Sequence, residues 1–133
     1  MSQINPEFIL NKNILIPCEF TKIQQIGIDL TISQEIEINN GASFNVLLNE
    51  TVKLSKDIYA ILIQRSSYNR KGILITGSIY DPGYWGVIGC TIYNLSGKVL
   101  HIDKNERICQ MVFFNAQAAS EYSGQYQKEH LSK

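Results

Sequence analysis

The sequence has no surplus of either charge: 12 lysines and arginines stand against 12 aspartates and glutamates, a formal net charge of zero. A general nucleic-acid binder carries a basic excess that tracks the phosphate backbone, so this composition argues against a nucleic-acid partner. Long apolar runs are also missing. No stretch approaches the roughly 20 residues that a helix needs to cross a bilayer, so no membrane partner is expected. Cysteines are few, and the three present (Cys18, Cys90, Cys109) are far apart and odd in number. Neither a disulfide framework nor zinc-ligand spacing is legible in them, and a reducing, cytoplasmic setting follows. The opening MSQINPEFIL has no basic segment leading into an apolar core, so no signal peptide is read. Without export, the glycosylation patterns at Asn49-Glu50-Thr51 and Asn94-Leu95-Ser96 are read as turn residues.

What is there is a chain of 133 residues, 44% of them hydrophobic, long enough for one domain with a sizeable core. The single domain is taken as residues 1–133, with an N-terminal arm over 1–13, loose or folded as a short helical turn, and a polar C-terminal tail over 118–133. Between them the texture is strand after strand. ILIPCEF (14–20) is interrupted by Pro17, which suits an edge strand or a bulge. GIDLTIS (27–33) alternates, with Ile28, Leu30 and Ile32 on one face and Asp29 and Thr31 on the other. Further strands are expected over 35–38, 44–48, 51–54, 58–64, 73–80, 86–93, 99–102 and 108–114. Asn39-Asn40-Gly41 marks a turn. Many short strands at regular spacing predict an all-β barrel or sandwich. One short helix is expected inside it, at Tyr68–Lys71 and stopped by Gly72, and another near Ala116–Tyr122.

The residues that carry chemistry concentrate between Arg65 and Asn94. The strand over 58–64 runs into Arg65-Ser66-Ser67, where two hydroxyls and a guanidinium stand beside the unpaired N–H groups of a helix start, an arrangement suited to an anion and equally to plain helix capping. Asp81-Pro82-Gly83-Tyr84 fits a type II turn, which would bring a carboxylate and an aromatic ring together at a hairpin tip. Asp before Pro-Gly is also an ordinary turn residue. Asp29, on the polar face of its strand, reads from the pattern as solvent-facing. Gln110 sits among apolar neighbours in ICQMVFF and must find a partner if it is buried.

Gly27-Ile28-Asp29-Leu30, Arg65-Ser66-Ser67, the Asp81 hairpin and Glu106-Arg107-Ile108-Cys109-Gln110 follow one another in the order in which they occur in the dUTPase / dCTP deaminase family, which the chain resembles from about residue 14 to its end. The resemblance implies a distorted β-barrel of the dUTPase-like β-clip type and a homotrimer with sites shared between neighbouring subunits. It further implies dUTP diphosphatase activity: water attacks the α-phosphorus of dUTP, giving dUMP and pyrophosphate, with Mg²⁺ as cofactor. By that resemblance Asp81 is the catalytic base and Asp29 holds the metal through water. Ser66 with its backbone, Ser67 beside it and Gln110 bind the phosphates, Arg65 orders the carboxylate region, Arg107 pairs with a neighbouring carboxylate or with the phosphates, and Tyr84 packs against the deoxyribose. The run Thr76–Tyr80 before Asp81, Ser78 and Ile79 above all, offers backbone donors and acceptors to the pyrimidine edge, and Tyr126 belongs to a tail that folds over the nucleotide. Arg70 matches an arginine of the deaminase branch.

Three departures shape the alternatives. Deaminases of the family carry a glutamate where this chain has Thr91, and threonine cannot shuttle protons near neutral pH, which disfavours dCTP deamination. The glycine-rich arm of dedicated hydrolases is missing, which keeps a catalytically weak nucleotide-binding or regulatory module as a second reading. The ending Tyr122-Ser123-Gly124-Gln125-Tyr126-Gln127 resembles the deaminase branch instead.

Overall fold

A computed structural model describes residues 2–118 and 120–128. Among these, eleven strands and two short helices form three antiparallel sheets around one isoleucine-rich core. The first sheet has β1 (Leu15–Ile16), β5 (Ser43–Lys53), β9 (Trp85–Asn94) and β7 (Ile73–Thr76) in that spatial order. In the second, β2 (Lys22–Ile23), β3 (Gly27–Thr31), β11 (Arg107–Asn115), β6 (Ile58–Gln64) and β8 (Ile79–Tyr80) lie side by side. A two-stranded ribbon pairs β4 (Ile36–Ile38) with β10 (Leu100–Ile102). The sheets do not close into a full barrel, so the fold is the distorted β-clip expected from the sequence.

Alternation decides which strands face solvent. In β9 the even positions from Gly86 to Asn94 are buried and the odd ones partly or fully exposed, the period-2 signature of a sheet with one wet face. β3 breaks this pattern. All five of its residues are buried, so Asp29 (1% exposed) and Thr31 lie inside, contrary to the solvent-facing reading. The reason is its place in the sheet, flanked by β2 and β11: Glu50 of β5 accepts from the Thr31 N–H (3.0 Å) and hydroxyl (2.9 Å), while Gln24, Arg65 and Arg107 close over Asp29.

Local backbone rules account for the other differences. The two strands expected over 44–48 and 51–54 are one strand, β5, with a register shift between Leu47 and Thr51. The single strand expected over 73–80 is two, because Gly77 breaks it and hands β7 and β8 to different sheets. The arm folds as α1 (Pro6–Asn11), capped by the Asn5 side chain and anchored by Pro6 and Ile9 in the core. Pro17 ends β1 after two residues, at the sheet edge where a missing N–H does least harm. The inner helix, α2, covers Ser66–Asn69, two residues earlier than expected, with extended Arg65 as its N-cap and no side-chain cap. No helix forms over the described residues of 116–122; that segment is irregular.

Candidate functional site

The turn expected at Asp81–Tyr84 is present, but it joins β8 to β9 in different sheets, so the two strands do not pair as a hairpin. The Tyr84 N–H donates to the Asp81 carbonyl (3.0 Å) and Gly83 has φ +87°, the left-handed value that position i+2 of a type II turn requires. Asp81 is therefore exposed at a rigid tip. Behind it lies a cavity of about 300 Å³ whose walls include Ser78, Ile79, Tyr80, Asp81, Tyr84, Gly89 and Tyr126. Asp81 also borders a wider groove of about 1300 Å³ together with Asp57 and Tyr59. The Tyr84 ring forms a wall of the smaller cavity and is only 6% exposed, packed between Tyr80 (5.5 Å between centroids) and the edge of Tyr122 (5.3 Å). Its hydroxyl donates to the Val87 carbonyl (2.7 Å).

The described part of the tail is tied to this turn. The Tyr122 N–H donates to the Pro82 carbonyl (2.8 Å). The Gln127 amide bridges the turn, accepting from the Trp85 N–H (2.7 Å) and donating to the Gly83 carbonyl (2.9 Å). Lys128 and Lys53 place their ammonium groups 4.6 and 4.5 Å from the centroid of the Trp85 ring, adding cation–π attraction. The tail thus brings Tyr122 and Tyr126 to the cavity.

A second cluster gathers where β3, β11 and the end of β6 meet. Asp29 Oδ2 accepts from Gln24 Nε2 (2.7 Å) and from Arg107 (3.0 Å), and the Arg65 guanidinium lies 3.7 Å away. Both arginines are about one-third exposed, so each keeps part of its guanidinium turned to solvent while Asp29 anchors the other part. Gln110 stands opposite Asp29 in the β11–β3 register and lies over Gly27, where a Cβ would sit 2.5 Å from its Oε1. Ser66 and Ser67 are exposed at the start of α2 next to Arg65. Tyr68, in the same helix turn, hydrogen-bonds Glu106, the residue before Arg107. Burial and this carboxylate push the Tyr68 hydroxyl far above its usual range, so it stays a neutral donor.

The chemistry of the Asp29 carboxylate limits how a metal could use it. Oδ2 already carries two guanidiniums and an amide, so a cation bonded directly there would sit against two positive charges. Oδ1 is the only buried side-chain oxygen or nitrogen among the described residues without a hydrogen-bond partner. A lone anionic acceptor of this kind fits a water of a hydrated ion, a role suited to Mg²⁺, which keeps its waters.

The sequence-predicted residues thus fall into two groups. Ser78, Ile79, Asp81, Tyr84 and Tyr126 share the cavity; Asp29, Arg65, Ser66, Ser67, Arg107 and Gln110 form the arginine cluster, which contributes no wall residue to it. Arg70 is exposed at the end of α2. Topology separates the groups: β8 pairs with the near end of β6 (Ala60 opposite Tyr80), while Arg65 follows its far end, five residues on and roughly 15 Å along the strand. Sequence reasoning missed Gln24, the Tyr80 side chain, Gly89 and Tyr122. Tyr80 precedes Asp81 in a strand-like run, and nothing local signals that its hydroxyl reaches across to β9.

The chain is thus a β-clip whose β8–β9 turn carries a carboxylate beside an aromatic-walled cavity, with two arginines clustered on a buried aspartate elsewhere on the same sheets. The dUTPase family model matches residues 15–132, and the chain belongs to the dUTPase family. It is 36% identical over 90 residues to a probable deoxyuridine 5'-triphosphate nucleotidohydrolase of Methanococcoides burtonii, which covers 66% of this chain and 53% of that protein. A dCTP deaminase of Pyrococcus horikoshii is 30% identical, covering 92% of this chain and 90% of its own length. The chain thus spans about half of the first of these relatives, and only 8% of the Pol polyprotein of an ovine maedi visna related virus, which it matches at 30% identity. Among solved structures, the dUTPase of EIAV superposes with a TM-score of 0.68 at 19% identity, covering 86% of this chain and 98% of that one.

Proposed function

We propose that this chain hydrolyses dUTP to dUMP and pyrophosphate, with Asp81 as general base. The observation that carries the reading is that Asp81 is the one carboxylate among the described residues lining the cavity, exposed at a turn that Pro82 and Gly83 hold rigid. A carboxylate so held takes a proton from water as the water oxygen bonds to the α-phosphorus. The bond from that phosphorus to the bridging oxygen breaks, and pyrophosphate leaves with the electron pair. Tyr84 walls the sugar end, and Ser78 and Ile79 with the strand backbone face the base. Tyr126 closes the cavity from the tail. Arg65, Arg107, Ser66, Ser67 and Gln110 bind the phosphates, with Asp29 aiming the two guanidiniums. Mg²⁺ arriving on the triphosphate would be held through one of its waters by Asp29 Oδ1 and would neutralise phosphate charge.

Two features favour hydrolysis over deamination and over binding alone. The Thr91 hydroxyl donates to Asn45 Oδ1 (2.7 Å), and the Thr76 hydroxyl donates to the Thr91 carbonyl (3.4 Å). No proton-shuttling group stands in this contact network, so attack on the pyrimidine C4 lacks its acid. Asp81 is exposed at the cavity wall, as a working base must be. The binding-module reading draws on the tail, which fastens to the Asp81–Tyr84 turn of its own chain and covers the Tyr84 ring.

A homotrimer is part of the proposal. The base cavity and the arginine cluster lie apart within one chain, and the outer face of β5–β9–β7 exposes Leu47, Leu74 and Tyr93 at 38–46%, apolar area that a second copy would cover.

Product analysis with dUTP and dCTP separately, in Mg²⁺, tests the reading in the wild type and Asp81→Asn. Pyrophosphate and dUMP from dUTP are expected, with kcat lowered about 10²- to 10⁴-fold in the variant. Ammonia release from dCTP, or turnover of neither nucleotide, would overturn it.

A further inference from the structure

One edge of β9 loses its neighbour inside the cavity. β7 pairs with β9 only as far as Thr76 opposite Thr91, and Gly77 then diverts the chain so that β8 joins the other sheet. A Cβ at Gly77 would collide with the Leu62 carbonyl, so this departure depends on glycine. Two residues past Thr91 along that edge comes Gly89. The N–H and C=O of one strand residue point to the same edge, and those of Gly89 point into the gap left by the departed strand.

The Tyr80 hydroxyl fills that gap. It donates to the Gly89 carbonyl (3.1 Å) and accepts from the Gly89 N–H (3.2 Å), and the Ser78 side chain bonds to it as well. Tyr80, Ser78 and Gly89 all line the 300 Å³ cavity. A donor and an acceptor side by side complement the polar edge of a pyrimidine, either the O4 and N3–H of uracil or the N3 and exocyclic amine of cytosine.

We propose that Tyr80 is a placeholder for the base: its hydroxyl holds the Gly89 N–H and C=O in the free protein, and a pyrimidine binds by displacing it. This rests on the nucleotide-hydrolase reading of the cavity and adds what that reading leaves open, which groups meet the base. Burial raises the Tyr80 hydroxyl above its ordinary range, so it remains a neutral donor and acceptor across the physiological range. Displacement spends binding energy on exchanging protein hydrogen bonds, so removing the hydroxyl should strengthen binding. It should do so for uracil and cytosine alike, because both present an acceptor beside a donor.

The test is titration of dUMP and dCMP, with dAMP as control, into the wild type and Tyr80→Phe, which keeps the ring against Tyr84. The variant is expected to bind both pyrimidine nucleotides about fivefold tighter, with dAMP unchanged and KM for dUTP falling more than kcat changes. Amide exchange at Gly89 should be slow in the free wild type, fast in free Tyr80→Phe, and slow again in both with dUMP. Equal or weaker pyrimidine binding by the variant, or a Gly89 amide still protected in the free variant, overturns the proposal. If the wild type binds and hydrolyses dUTP while the variant changes neither affinity nor exchange, the role of Tyr80 alone falls. If neither protein binds any pyrimidine nucleotide, the hydrolase reading falls with it.

Discussion

Gly27 shows how one atom shapes the site. It opens β3 opposite Val112, and a Cβ there would lie 2.5 Å from Gln110 Oε1 and 2.7 Å from the Met111 carbonyl. The side-chain amide could swing away, but the backbone carbonyl belongs to the ladder and cannot. Gly27→Ala is therefore expected to destabilise by about 1–3 kcal/mol, the range for overpacking a filled interior. It would be read as a lower urea midpoint with unchanged slope. An unchanged midpoint would mean that β3 and β11 have slack here. The glycine was legible as part of Gly27-Ile28-Asp29-Leu30, but its reason was not, since Gln110 and Met111 lie more than 80 residues away. Asp29 was hidden in the same way: alternation gave its face correctly, while the cover over its carboxylate comes from Gln24, Arg65 and Arg107. Nothing local to GIDLTIS reports that cover.

At the scale of elements, the sequence located strands well wherever period-2 patterning and turn residues agreed, as for β6, which spans Ile58–Gln64 as expected, and for Gly41 and Gly83, both at positive φ in their turns. It failed where one residue reassigns a strand, as Gly77 does, or where a bulge hides continuity, as in β5. The β4–β10 ribbon carries a charge cluster that the motif reading passed over. His101 lies opposite Glu37 in register, and its Nε2 is 2.8 Å from Asp103 and 3.1 Å from Glu35. The hydrogen bond that the His101 ring donates to Asp103 is the main cause that raises the His101 pKa above its ordinary value, with the charges of Asp103, Glu35 and Glu37 adding to it. A group whose pKa is raised on folding stabilises fully below its unfolded value, near 6.5, and loses that contribution as pH rises through the folded value. The wild type should thus lose more melting temperature between about pH 5.5 and 8 than His101→Gln does. The cluster is fully exposed, so the difference should be small and shrink in about 1 M salt. Identical pH profiles at low salt would show that the ion pairs contribute nothing.

For the whole molecule, the decisive fact is that the chain divides its chemistry. The turn that presents Asp81 and the cluster of Arg65 and Arg107 lie at opposite ends of β6, while the proposed hydrolysis of dUTP requires the nucleotide to meet both. Closed cyclic assemblies resolve such a division by setting one subunit's turn against its neighbour's arginines, and the exposed Leu47, Leu74 and Tyr93 face supplies apolar area for the contact. A shared site makes a prediction that a self-contained one does not. Asp81→Asn and Arg65→Ala should each be nearly inactive alone, because each spoils one half of every site. Mixed, unfolded and refolded together in equal amounts, they should regain roughly a quarter of wild-type turnover, since in a randomly assembled ring that fraction of interfaces pairs an intact Asp81 with an intact Arg65. Recovery should follow the mixing ratio and vanish when the two variants are refolded separately and combined only afterwards. Mixtures no more active than their parents would mean that each chain completes its own site, and that the nucleotide bridges the two clusters only after the chain itself rearranges.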